Sequence, residues 1–173
     1  MMVNLSQDGA IIGKFRRIYD EYNAYSFRNK NTSISDDDYL EKLENKNSGM
    51  EISDYEIKNK RDYDKSIIES YSFELDNQAD IINDRIYFAP LFFMAMEENP
   101  FKLEERNYPI DFSYPWNEKY TVTINIPDGF HVNSKPEDIN MVLPDNLGSF
   151  TYQLKDNVGK FLQLSVNLSI NQP

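Results

Sequence analysis

The chain contains no cysteine in its 173 residues. That excludes a disulfide, a thiolate nucleophile and a cysteine-ligated zinc. It holds one histidine, His131, so no spaced histidine pair is present to ligate a metal. A hydrolytic triad needs a nucleophile beside a base and a third orienting group. Ser134 lies close to His131, yet no serine stands in a Gly-x-Ser-x-Gly elbow. His131 reads as a surface or half-buried structural residue. Phosphate loops and dinucleotide fingerprints are absent as well. Basic residues are few: 18 Lys and Arg face 29 Asp and Glu, for a net charge of −11. This balance argues against a nucleic-acid backbone as partner, which needs basic clusters, and against docking on anionic lipid. No apolar run approaches the roughly 20 residues that span a bilayer. The longest, from Phe88 to Met96, is far shorter, so no membrane insertion is expected. Val3 to Gly13 is broken by Asn4, Gln7 and Asp8 and lacks a signal-peptide pattern.

What the chain does have is aromatic residues, 12 Tyr and 11 Phe among them, and alternation in its second half. Leu162, Leu164, Val166, Leu168 and Ile170 alternate with Gln163, Ser165, Asn167 and Ser169. This predicts a strand with one dry and one wet face. Tyr120, Val122, Ile124 and Ile126 alternate likewise, as do Phe150, Tyr152 and Leu154. Asp156 to Gly159 reads as a hairpin turn. Phe130 and Val132 are expected to start a short strand, and Pro136 to Asn140 to form a loop. Earlier, strands are expected over Ala10 to Tyr19, Ser66 to Leu75 and Arg85 to Ala89. Glu51 to Asn59 alternates weakly through Ile52 and Ile57. Leu91 to Met96, apolar all round, is either a buried strand or a short helix. Asp20 caps a short helix through Tyr22, Tyr25 and Phe27. Ser35 opens a clearer one, with three aspartates in its first turn and Gly49 after its end. Those aspartates do not make an EF-hand: the sixth residue from Asp36 is Glu41, where a glycine is needed.

These elements predict a mainly β fold, an antiparallel β-sandwich with a short N-terminal helical elaboration. Residues 1–60 form a strand and helical segment packed on a β-sandwich module at 61–173, the two making one unit. The first strand carries apolar residues on both faces: Ile11, Phe15 and Tyr19 on one, Ile12 and Ile18 on the other. One face then suits the core and the other a second layer or a neighbour.

The stretch from Asn99 to Trp116 is the densest in signals. Pro109 and Pro115 place it at an edge, a bulge or strand ends. Ile110, Phe112 and Tyr114 alternate with Asp111 and Ser113, as in a half-buried strand. Arg106 follows Glu104 and Glu105, and a buried arginine needs carboxylates or carbonyls. The expectation is a structural corner built from Asn99, Pro100, Phe101, Arg106, Tyr108 and Pro109. The alternative is an aromatic ligand platform on Tyr108, Tyr114 and Trp116, for which the partner is a glycan.

The same stretch, NPFKLEERNYPIDFSYPW, resembles the hallmark of a bacterial domain of unknown function that follows a transglutaminase-like core in exported multidomain proteins. GKFRRIYDEYNAYSFR, with Tyr22, Ala24 and Arg28, is similar to the strand and helix after that core. DRIYFAP, IPDGFHV and LPDNLGSFTY are similar to later strands and hairpins. The resemblance implies a non-catalytic structural or interaction module, with the upstream transglutaminase-like domain of the same polypeptide as its partner. It also implies a periplasmic or cell-surface location. The core of that family uses Cys, His and Asp; a chain without Cys has no such core, and no catalytic residue carries over. No cofactor or metal ligand is expected. Two alternatives stand beside this reading: a carbohydrate-binding β-sandwich, and a hydrolase with a carboxylate pair facing across a cleft.

Overall fold

The computed structural model describes residues 1–96, 98–99, 111–157 and 159–171. The protein is mainly β and divides into two units, Met1–Phe88 and Ala89–Pro173. The N-terminal unit holds β1 (Met2–Leu5), β2 (Ile11–Tyr19), α1 (Glu21–Asn31), α2 (Asp36–Lys46), β3 (Met50–Lys58), β4 (Ile67–Leu75), β5 (Ala79–Ile82) and β6 (Arg85–Phe88). Its sheet runs β3-β4-β2-β1, and each of these neighbours is antiparallel. β5 and β6 form a separate hairpin, closed by Asn83 and Asp84, both at positive φ. Asn and Asp tolerate that region, which two-residue hairpin turns demand. β4 bonds to β2 on one side and β3 on the other, so residues on both sides of position 60 share one sheet.

Sequence period explains these elements. On β4, Ile67, Glu69, Tyr71, Phe73 and Leu75 are buried, while the residues between them are not. On β3 the period breaks, because Ile52 and Ile57 are five apart and cannot share a face of a regular strand. The register shifts between Ser53 and Glu56, with Asp54 at positive φ. One extra residue in a bulge resets the parity and aims Tyr55 toward the side of Ile52 and Ile57. α2 begins as its sequence dictates: the Ser35 hydroxyl accepts from the Asp38 amide at 3.1 Å. The helices cover one end of the sheet, where Ala24, Phe27 and Ile67 are buried together against Tyr19, Tyr39 and Ile57.

The C-terminal unit holds β7 (Trp116–Asn125), β8 (Ile139–Val142), β9 (Gly148–Asn157) and β10 (Phe161–Ile170), in the order β7-β10-β9-β8. β10 is paired antiparallel along its full length on both sides. Its dry face buries Leu162, Leu164, Val166 and Ile170, against Val122 and Ile124 of β7 and Leu154 of β9. Three expectations change here. The stretch 111–115 is not a strand. Asp111 Oδ1 accepts from the Ser113 amide at 2.7 Å, Ser113 takes a positive φ, and the Tyr114 amide bonds back to Phe112. An aspartate turn bonding its own backbone outcompetes the ladder there. Phe130 and Val132 lie in irregular chain after the Pro127–Phe130 turn. And the expected loop after Pro136 gives way to β8, paired to β9 from Ile139 to Val142. Phe92–Met94 is a single 3-10 turn with Phe92 buried, so of the two readings offered for that run the helical one holds.

One buried cation organises the N-terminal unit. Arg28 on α1 is buried, and its guanidinium bonds backbone carbonyls of the β3–β4 loop. Nε donates to Lys60 at 3.3 Å, and Nη2 reaches Asn59, Asp62 and Lys65 at 3.1, 2.6 and 2.7 Å. Its plane lies 5.2 Å from the Tyr63 ring centroid. A planar fork suits several carbonyls converging on it, as a point-charge ammonium does not. Arg28→Lys and Arg28→Ala should each lower stability, the alanine by roughly 3 kcal/mol because buried carbonyls lose their donors. Denaturant unfolding reads this directly; a lysine variant as stable as the wild type would contradict the role given to the fork.

Candidate functional site

The sequence pattern on β4 places an acid where the sheet wants an apolar residue. Glu69 occupies the buried parity between Ile67 and Tyr71 and is 2% exposed. A carboxylate at that depth requires hydrogen-bond donors. Tyr19 of β2 supplies one, its hydroxyl donating to Glu69 Oε2 at 2.7 Å. Tyr39 arrives from α2 and Tyr55 from the β3 bulge, their rings 6.1 Å apart. Phe27 of α1 closes the group, tilted at 4.7 Å from Tyr19 and edge-on at 5.7 Å from Tyr39. Five elements thus meet around one carboxylate. Glu69 Oε1 and the Tyr55 hydroxyl are buried without a hydrogen-bond partner.

The phenols respond to this setting. Burial raises the Tyr19, Tyr55 and Tyr71 hydroxyls above the ordinary phenol range, and the Glu69 charge adds to it. For Tyr39, burial dominates, followed by the charges of Tyr19 and Glu69. These hydroxyls therefore keep their protons at neutral pH, and Tyr19 donates its own to Glu69. The arrangement packs the Glu69 side chain among buried phenols. Among the described residues no three His, Cys, Asp or Glu side chains gather as a metal ion would need. Asp36 of the aspartate run instead accepts from Lys60 Nζ at 2.7 Å.

The residues singled out from sequence fall as follows. Pro100, Phe101, Arg106, Tyr108 and Pro109 lie outside the described residues, as do Glu104 and Glu105. Asn99 is exposed. Tyr114 and Trp116 are half-buried, and Trp116 meets Phe112 edge-on, at 6.3 Å and 66°. His131 is exposed. Ile12 and Ile18 are each 52% exposed on the outer face of β2, with Lys14 and Arg16 between them on that face. Glu69 escaped the sequence reading, although its position two residues after Ile67 and two before Tyr71 carried the signal.

The C-terminal unit offers a different feature. β8 stands at the end of its sheet, paired only to β9 among the described residues. All four of its residues are exposed, and with them Leu143 and Leu147. Met141 is 61% exposed and Val142 62%. The strand is held firmly from behind. Leu143 N–H bonds Gly148 O at 2.9 Å, and Asn171 bonds both Leu147 O and Asn146 O, at 2.8 and 2.9 Å. Gly148 lets the hairpin approach β10, since a Cβ there would lie 2.6 Å from Ser169 O. The exposed strip is therefore a fixed surface.

The tyrosine group makes a prediction. An unfolded phenol ionises near pH 10. A folded phenol raised above that value adds stability that is complete below pH 10 and is lost as pH rises further, toward the folded value. Part of the ultraviolet phenolate signal from the 12 tyrosines should therefore appear only together with alkaline unfolding. A single reversible titration of all of them near pH 10, with the fold intact, would contradict the burial of the group.

No curated protein and no solved structure is a significant match to the chain. A family model does match, described as Domain of Unknown Function with solved-structure structure (DUF3858), over residues 84–173. That is just over half of the chain, and includes β6 and the whole β7-β10-β9-β8 sheet with its open strand. The chain belongs to this family of unknown function.

Proposed function

We propose that the protein is a non-catalytic interaction module that accompanies a transglutaminase-like domain in an exported bacterial protein, at the periplasmic or outer cell surface. The observation that carries the interaction role is β8, an edge strand whose Ile139, Met141 and Val142 are exposed beside Leu143. An apolar strip at an open edge marks a place where another polypeptide sits. The buried ionisable groups support the same reading, since Arg28 and Glu69 are engaged in holding elements together. The resemblance of the 99–116 stretch and its flanks to a domain that follows a transglutaminase-like core supplies the proposed neighbour. A β-sandwich form belongs to this proposal too: each unit has an antiparallel sheet with one dry face, and such a face needs a covering layer.

Two measurements test it. The chain alone should incorporate no amine and cleave no peptide above blank. Mixed with the transglutaminase-like domain of the same polypeptide, expressed separately, it should associate. A polypeptide that contains no such domain would contradict the proposal, as would no detectable association at high micromolar concentration.

A further inference from the structure

Two of the strands that end these sheets, β3 and β8, differ sharply. β3 closes the N-terminal unit's sheet, and it is blunted by several devices that keep an edge from pairing. It carries Glu51, Asp54, Glu56 and Lys58, and a bulge interrupts it at Asp54 and Tyr55. The outward amide of Ile52 is already taken, donating to Glu44 Oε1 of α2 at 2.8 Å. β8 has none of these. Ile139 to Val142 contains no charge, no proline and no bulge, and its register with β9 is unbroken. Its charges stand at the two ends, where Glu137 and Asp138 precede it, Asp145 follows it, and all three are exposed. Lys135 is the one basic residue in the run from 135 to 147. The edge is thus apolar in the middle and acidic at both ends.

Resting on the interaction role given to β8 above, we infer that this edge accepts an extended polypeptide segment, apolar at its centre and basic at both ends, which adds to the β7-β10-β9-β8 sheet as a fifth strand. Strand addition uses the free backbone groups of the edge for affinity and the flanking side chains for selection. A second copy of the chain fits less well. Asn140 and Val142 turn their backbone groups away from β9, so antiparallel self-pairing centred on Met141 sets Asn140 against Val142 of the other copy and Ile139 against its Leu143. Glu137 and Asp138 of one copy then meet Asp145 of the other at each end of the pair, with only Lys135 to offset them. Each copy also carries a net charge of −11. A basic-flanked segment removes that repulsion and replaces it with attraction.

The probes are two synthetic peptides with the core Thr-Val-Thr-Val-Thr, one flanked by two lysines at each end and one by two glutamates. Their binding to the whole chain is followed by amide chemical shifts and calorimetry. The lysine peptide should shift amides of Ile139 to Leu143 most, and bind at least about tenfold more tightly than the glutamate peptide. Its affinity should fall about fivefold or more from low salt to ~0.5 M salt, as screened charges require. Met141→Lys, at an exposed site, should leave the melting temperature unchanged and weaken the lysine peptide tenfold or more. Equal binding of both peptides would overturn the inference, as would shifts located away from β8. Dimerisation of the free chain that Met141→Lys abolishes would overturn it too, by making a second copy the occupant. If the transglutaminase-like domain binds while neither peptide does, and Met141→Lys leaves that binding intact, strand addition falls and the module reading stands. If neither domain nor peptide binds, both fall.

Discussion

A β-sheet must satisfy its backbone groups strand by strand, and its last strand has no neighbour to do so. That constraint shapes this protein more than any single side chain. β10 meets it completely, with a partner for each residue from Phe161 to Ile170 on both sides. Once β10 and β9 are paired, the open row of donors and acceptors passes outward to β8. β8 is only four residues long, but it carries no charge, proline or bulge to close that row. The contrast with β3 gives this meaning, because the same chain blunts that edge with charge, a bulge and a helix side chain. An edge left apolar while another is blunted is what the proposed interaction role rests on. The strained turn behind it fits this view. Asp145 and Asn146 both take positive φ, and the turn carbonyls of Asn146 and Leu147 are bound by Asn171.

The N-terminal unit is organised by polar groups placed where apolar ones would be simpler. Arg28 gathers the β3–β4 loop through its carbonyls, and Glu69 draws β2 to β4 through Tyr19. Neither works as an ion pair in the usual sense. The guanidinium is held by peptide dipoles, and the carboxylate is surrounded by phenols that keep their protons. Such groups add less to stability than well-packed side chains of the same size would, but removing one partner leaves the other stranded. They fix which loop and which helix meet the sheet.

Much of this was legible in the residues. The alternation from Leu162 to Ile170 gave β10 its boundaries and its dry face, because both neighbours reinforce the period. Ser35, the aspartates after it and Gly49 framed α2. The failures have physical causes. Ile110, Phe112 and Tyr114 have strand spacing, yet Asp111 captures the Ser113 amide and the described part of that stretch turns. Ile52 and Ile57 are out of phase until a bulge is allowed between them. β8 was missed because an edge strand exposed on both faces has no period to read, and Pro136 made the region look like loop. Glu69 has no apolar side chain to mark it, but the parity set by Ile67 and Tyr71 puts it inside. The corner foreseen around Arg106 lies outside the described residues. The arginine cage that the structure does show belongs to Arg28, whose spacing after Tyr22 and Ala24 had carried only a resemblance.

The account turns on β8 being an open edge on an otherwise well-paired sheet. Native-state hydrogen exchange of individual backbone amides tests that most directly. In the free chain, those amides from Ile139 to Val142 that point away from β9 should exchange nearly as fast as unstructured peptide. The amides of β10 from Leu162 to Ser169, bonded to strands on both sides, should be the slowest in the C-terminal unit. Outward β8 amides protected to the same degree as those of β10 in the free, monomeric chain would mean that the edge is already covered, and would contradict the account.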